Sequence, residues 1–326
     1  MKRVLIIVFL LLCLLGLIGY KTFVHYTSTT TPSAYQPEQS FTEERREGNL
    51  EKHVKELCKY PDRYAENTDQ LAETIQYIKE QFESAGLKTE LIPFKHGNKV
   101  YYNISGIIPG SMKDRIVIGT HYDSAKGSPG ADDDASSVAA LIETAKGLAG
   151  IQPDYTIEFV AYANEKSPLH GTDYHGSRIH YRHLEEEGIP VQLMICLEMI
   201  GYYSNDPNSQ TYPKEWLSKI YPETGNFIAI LGSETATEPS QILQTAMKHR
   251  IPTVRLNYPI LKEFTFSDHS VFDEQGIPSI VLTDTSFYRN KNYHQPTDTP
   301  DTLDYEKMQW VVKGLIDALN KFSFNE

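Results

Sequence analysis

His121-Tyr122-Asp123-Ser124, followed by Gly130-Ala131-Asp132-Asp133-Asp134-Ala135-Ser136-Ser137, decides how this chain is read. An apolar run, Ile116-Val117-Ile118-Gly119, precedes it. A helix-like run, Val138-Ala139-Ala140-Leu141-Ile142, follows. The order is therefore strand, then a loop of imidazole and carboxylates, then helix. Open α/β folds keep their chemistry in loops at the carboxyl ends of parallel strands. A histidine and several acids there point to a metal site with nitrogen and oxygen ligands. Three aspartates before a helix can also be an N-cap with first-turn acids, which the helix dipole favours. One capping aspartate suffices for that. Three side by side repel one another unless a cation or hydrogen-bond donors hold them.

Working outward, short apolar or alternating runs at 88–94, 100–108, 115–120, 155–162, 191–198, 226–231 and 278–283 read as strands. Helical patterns cover 43–58, 68–84, 135–149, 172–186, 238–249 and 305–322. In the second of these, Leu71, Ile75, Ile78 and Phe82 share one face, and Gly86 follows its end. Helices interleaved with buried strands predict an α/β fold. Its central sheet is expected to be mixed and mostly parallel, covered by helices on both faces.

The chain has 326 residues and a formal net charge of -12. Phosphate binding needs a basic face, so nucleic acid is excluded as the main partner. The plain meaning of the acidity is solubility. The three cysteines, Cys13, Cys58 and Cys196, form no disulfide framework or metal-binding pattern. Residues 1–24 begin with Lys2 and Arg3 and continue as an apolar run of about 17 residues, near the lower limit for a membrane span. No Ala-x-Ala site follows, and Leu12 stands before Cys13, where lipoprotein processing wants a small residue. The expectation is an uncleaved membrane anchor with Lys2 and Arg3 in the cytoplasm. The catalytic domain is then periplasmic or extracellular; a cleaved signal and a secreted protein are the alternative. Residues 25–41, rich in Ser, Thr, Pro and Gln, read as a linker. Residues 42–326 form the remaining domain.

Four more clusters lie near predicted strand ends: Ala163-Asn164-Glu165-Lys166-Ser167-Pro168, Cys196-Leu197-Glu198-Met199-Ile200-Gly201-Tyr202, Ser267-Asp268-His269-Ser270, and Tyr293-His294-Gln295-Pro296-Thr297-Asp298-Thr299. A lone carboxylate at a strand end is usually a cap or a surface group, and a lone histidine is usually structural. Five such clusters in order are a strong signal.

On these motifs the chain resembles the co-catalytic zinc aminopeptidases, the family of bacterial leucyl aminopeptidases, glutamate carboxypeptidase II, glutaminyl cyclases and the transferrin receptor's protease-like domain. The resemblance spans roughly residues 45–322. It is nearest to a bacterial branch whose second acidic motif reads Asn-Glu-Glu-Pro-Pro. It implies a zinc exopeptidase fold and hydrolysis of N-terminal peptide bonds by a zinc-activated water. His121 and Glu198 would bind one metal, Asp133 would bridge, and His294 would bind the other. Asp123 would fix the tautomer of His121 through its second nitrogen, and Glu165 would be the general base. A cis peptide between Asp133 and Asp134 is also implied.

One position departs from the pattern. The family follows its general base with a second Glu that ligates the second metal, and here that residue is Lys166. An ammonium has three donors and no lone pair, so it cannot ligate a cation. It would repel one at a few ångströms by several kcal/mol even at an effective dielectric of about 20. Lys166 is therefore expected near Asp133, Glu165 or His294, with one zinc ion bound rather than two. A carbamylated Lys166, or another ligand such as His170 or His175, would restore the second site. Two functions of different class follow: a zinc aminopeptidase with an impaired second site, acting on peptides, or a pseudo-peptidase serving as a binding or scaffolding domain.

Overall fold

Ile116, Val117 and Ile118 are all buried, as a strand covered on both faces requires. This run lies at the centre of a nine-stranded sheet. The computed structural model describes residues 16, 21, 25–30, 49–258 and 267–323. The strands are β1 (Thr27–Thr30), β2 (Lys88–His96), β3 (Lys99–Ile108), β4 (Met112–His121), β5 (Tyr155–Tyr162), β6 (Val191–Leu197), β7 (Ile228–Ser233), β8 (Thr253–Tyr258) and β9 (Ser279–Thr283). The helices are α1 (Leu50–Leu57), α2 (Thr68–Ser84), α3 (Ser137–Gly147), α4 (Gly176–Glu186), α5 (Thr237–Met247), α6 (His269–Asp273) and α7 (Tyr305–Ser323).

The sheet order is β1-β8-β7-β9-β6-β4-β5-β3-β2. Alternate residues of β4 serve different cores. Ile116 and Ile118 join the cluster built with Val54, Phe82, Leu141, Leu243 and Leu315, from α1, α2, α3, α5 and α7. Val117 joins the opposite cluster with Leu184 of α4 and Phe272 of α6. Both faces are thus covered, as the sequence predicts.

The sheet is mixed, but its parallel part is the centre. β5, β4, β6 and β9 run parallel, as do β7 and β8. Antiparallel pairing joins β1 to β8, β2 to β3, β3 to β5 and β7 to β9. Parallel and antiparallel pairs are therefore equally represented, against the expected parallel majority. The Gly97-Asn98 turn joins β2 to β3 as a hairpin, which forces antiparallel pairing there.

Two strands escape the hydropathy pattern. β8 carries Arg255 and Asn257 at fully buried positions. Arg255 donates to Asn257 Oδ1 at 2.6 Å and to the His25 carbonyl oxygen at 2.9 Å, which makes its burial tolerable. β1, the other, lies inside the expected linker: residues 27–30 are an edge strand. Three threonines favour extended backbone, and β8 offers a free edge. The helix expected over 172–186 begins only at Gly176, because His175 has extended backbone. The helix expected over 43–58 is present from Leu50, and residues 43–48 lie outside the described residues. So do residues 1–24 apart from 16 and 21. Among the described residues no helix is long and apolar enough to cross a membrane.

One polar knot ties four elements beneath the site. Glu158 of β5 is buried; it accepts from Ser105 Oγ at 2.6 Å and from Arg115 Nε at 3.0 Å, and lies 3.2 Å from His180 Nε2. Burial alone would raise its carboxyl pKa, but the charge and hydrogen bonds of His180, the Ser105 hydroxyl and the Arg115 charge hold it down at about 2. Because the folded pKa is depressed, this stability is complete above the ordinary value of 4.5 and is lost as pH falls toward 2. Glu158→Ala is expected to destabilise the domain by about 3–5 kcal/mol at pH 7, since it strands a largely buried Arg115. Urea unfolding at pH 7 and pH 3 checks this, with a smaller difference expected at pH 3.

Candidate metal centre

The parallel strands β4, β5 and β6 deliver the site, because their carboxyl ends lie side by side. His121 is the last residue of β4. Glu165 follows the end of β5, and Glu198 follows β6 directly. Asp133 comes from the loop before α3, where the Asp133–Asp134 peptide is cis, as the resemblance implies. His121 Nε2 lies 3.2 Å from Asp133 Oδ1 and 3.7 Å from Glu198 Oε2. Ligand atoms of His121, Asp133 and Glu198 all fall within 4.8 Å of one another. His294 reaches the far side of the bridge, with Nε2 3.0 Å from Asp133 Oδ2. All four expected ligands therefore converge on Asp133.

The donor set fits a cation. His121 Nε2 is buried without an aligned hydrogen bond, and the two buried Asp133 carboxylate oxygens face only the Lys166 ammonium and the His121 and His294 rings. Such atoms are expensive to bury unless charge compensates them. His121 Nδ1 lies 2.8 Å from the Asp123 carbonyl oxygen. That contact places the proton on Nδ1 and frees Nε2 as a ligand.

Asp123 acts differently from its expected part. Its carboxylate is 3.4 Å from His121 Nδ1, but it accepts the backbone N–H groups of Glu165 at 3.1 Å and Lys166 at 2.9 Å. It ties the end of β5 to the end of β4, and the backbone carbonyl serves the imidazole.

Lys166 is where the sequence expects it. Its Nζ lies 2.8 Å from Asp133 Oδ1 and 2.9 Å from Glu165 Oε2. Burial would lower its pKa, but the Asp133 and Glu165 carboxylates outweigh burial and keep it well above its ordinary value. The same charge holds Asp133 and Glu165 well below the usual carboxylate range, against the effect of burial. An ammonium bridging these two carboxylates meets Asp133 at Oδ1, the oxygen that also faces His121, and a second cation would find only Asp133 Oδ2 and His294 as ligands. The residues present thus fit one metal through His121, Asp133 and Glu198, and do not fit a second as they stand.

Several supporting residues were not assigned from the sequence. Ser267 donates to Glu198 Oε2 at 2.7 Å. His170 Nδ1 lies 3.2 Å from Glu165 Oε1, and that contact raises the imidazole pKa to about 9. Asp134 accepts from the Met199 N–H at 2.9 Å and from the Thr120 hydroxyl. Asp298 accepts the N–H groups of Asp132 and Asp133 at 2.9 and 3.2 Å. Ser267 and Asp298 lie inside the clusters read from the sequence, but nothing in a linear pattern tells a ligand from the group that aims it. His175, a candidate replacement ligand, instead pairs with Asp268 at 3.0 Å.

Residues 103–319 match Peptidase family M28. The uncharacterized protein YfbL of Escherichia coli strain K12 is 39% identical over 305 residues, covering 89% of this chain and 90% of that protein. Leucine aminopeptidase 1 of Arthroderma otae is 25% identical over 299 residues, covering 84% of this chain and 74% of that protein. Among solved structures, the LapA aminopeptidase of Legionella pneumophila superposes with a TM-score of 0.67 at 25% identity, covering 85% of this chain and 71% of that one.

Ser267 offers a test of the site that leaves the ligands intact. Ser267→Ala removes the hydrogen bond that aims Glu198 and is expected to weaken zinc binding by about 10–100-fold. Competition with a chromophoric chelator measures this; an unchanged affinity would show that Ser267 does not aim Glu198 at a metal.

Proposed function

The chain belongs to peptidase family M28, and on that basis we propose that it is an exported, membrane-anchored zinc aminopeptidase with an impaired second metal site. The observation that carries this reading is the convergence of His121, Asp133 and Glu198 within 4.8 Å, with a buried Glu165 beside them. His121, Asp133 and Glu198 would hold a zinc ion, which would supply Lewis acidity at the scissile carbonyl and lower the pKa of a water to about 7. Glu165 lies 3.7 Å from His121 Nε2, within reach of the same point. It takes the proton of the attacking water and returns it to the leaving amine. Asp123 holds the Glu165 backbone, and the half-exposed His170 holds its carboxylate.

Lys166 limits this chemistry in two ways. It stabilises the ionised form of Glu165, which weakens the base. It also presents a positive charge where the ammonium of a peptide's N-terminus must approach. The substrates are peptides, and turnover is low. Export rests on the apolar leader with its Lys2 and Arg3. The domain then works outside the cytoplasm, anchored by residues 1–24, or is secreted if the leader is cleaved. The ion pairs of Lys166 with Asp133 and Glu165 also favour a second reading, in which the domain binds peptides without turning them over.

Zinc stoichiometry with a screen of aminoacyl-nitroanilides separates the two readings. The wild type is expected to bind one zinc ion and to cleave slowly. Glu165→Gln should keep the zinc and lose about 10²–10⁴-fold in kcat. Lys166→Glu should raise both zinc stoichiometry and rate. Two zinc ions in the wild type, with neither quantity changed by Lys166→Glu, would overturn the role given to Lys166. One zinc ion and no turnover on any substrate would favour the non-catalytic reading.

A further inference from the structure

The strand nearest the leader shows which way the domain faces. β1 pairs antiparallel with β8, β8 runs parallel to β7, and β7 runs antiparallel to β9. β9 in turn is parallel to β6, β4 and β5. Following these directions, β1 runs the same way as β4. The site lies at the carboxyl ends of β4, β5 and β6. The amino end of β1, where the chain arrives from the leader, therefore lies at the opposite edge of the sheet.

Side-chain contacts agree with this placement. Tyr26 OH donates to Glu234 at 3.1 Å, and Glu234 directly follows β7 at the edge away from the site. The Ser279 N–H, at the start of β9, donates to Ser233 Oγ at 3.1 Å on that same edge. β1 is also strapped along its length. Arg255 donates to the His25 carbonyl oxygen at 2.9 Å, Ser28 donates to Gln244, and the Thr30 and Thr253 hydroxyls lie 2.6 Å apart. Edge strands of four residues are weak alone, so these contacts are what holds the entering chain to the domain.

From this we infer that the β1 edge faces the bilayer and the active-site mouth faces away from it, toward water-borne peptides. The inference rests on the anchor reading given above. Six residues, 21–26, separate the apolar run ending at Tyr20 from Thr27. Fully extended they span at most about 21 Å, which keeps the domain close to the membrane. Ten residues of β4 put the mouth about 33 Å beyond the lower edge. Exposed Glu185, Glu186, Glu187 and Glu234 lie at that lower edge with exposed Lys88, Lys113 there donates to the Gly188 carbonyl oxygen, and Glu274 pairs with Arg178. These acids repel an anionic lipid surface over about a Debye length, ~8 Å in physiological salt. The edge therefore stands off the headgroups rather than lying on them. The substrate class this favours is soluble peptide; a chain embedded in lipid would not reach the mouth.

Full-length protein in vesicles of phosphatidylethanolamine and phosphatidylglycerol tests this, with a fluorescent amino acid at Thr235 or at Phe287. Thr235 is exposed at the lower edge. Phe287 is exposed beside Tyr293, whose ring stacks on His294. Energy transfer to an acceptor lipid is expected to be strong from Thr235 and to fall steeply at Phe287. Ser28→Pro with Thr30→Pro, which breaks the strap, should shrink that difference while thermal unfolding still reports a folded domain. Equal transfer from both positions, or stronger transfer from Phe287, overturns the inference. Intact mass separates the premises: a protein that has lost residues 1–24 sinks the anchor reading and this inference with it. An intact leader with equal transfer sinks the orientation alone.

Discussion

Burying Asp133 and Glu165 beside each other requires positive charge, and in this chain Lys166 supplies it at 2.8 and 2.9 Å. Two ionised carboxylates brought out of water without a cation would take up a proton or drive the loop apart. The ammonium removes that need and holds both acids ionised. It acts as a permanent, covalently attached counter-ion to both carboxylates. Among the described residues, no lysine or arginine forms an ion pair with Glu198, and on the side of His121 and Glu198 a metal would have a role to fill.

The surrounding acids brace this arrangement. Asp123, Asp134 and Asp298 each accept backbone N–H groups from a neighbouring loop. Asp132 accepts from the Gly201 N–H at 2.9 Å and from the Asn290 amide at 2.7 Å. The three consecutive aspartates at 132–134 thus divide their work: the middle one faces the cation site, and its neighbours fasten the loops on either side. This answers the repulsion that three adjacent carboxylates would otherwise impose. Burial and the Asp132 charge raise the Asp298 carboxyl to about 7, against the two backbone N–H groups that it accepts.

The centre of the fold was legible in the sequence because β4, β5 and β6 are covered on both faces and read as apolar runs. His121 and Glu198 stand at the ends of such runs, while the ligand roles expected of Asp133 and His294, which lie in loops, were implied by the family resemblance. The edges were less so. β8 hides behind a buried Arg255 and Asn257, whose compatibility with the core depends on partners such as His25, far away in sequence. β1 reads as linker because threonines and a serine suit an exposed loop as well as an edge strand. The work of Asp123 was only partly legible: sequence placed it beside His121, but its carboxylate turned out to serve the backbone of a different strand end. Lys166 was readable as a departure, since its charge alone forbids ligation, and its contacts follow from lying one residue after Glu165.

The account turns on whether Lys166 stands in for the second metal. A crystal structure of the zinc-loaded protein, with anomalous differences collected at the zinc edge, measures this directly. The account predicts one anomalous peak, bounded by His121, Asp133 and Glu198, with Lys166 Nζ still between Asp133 and Glu165. Two peaks flanking Asp133, with Lys166 turned out of the site, would contradict it.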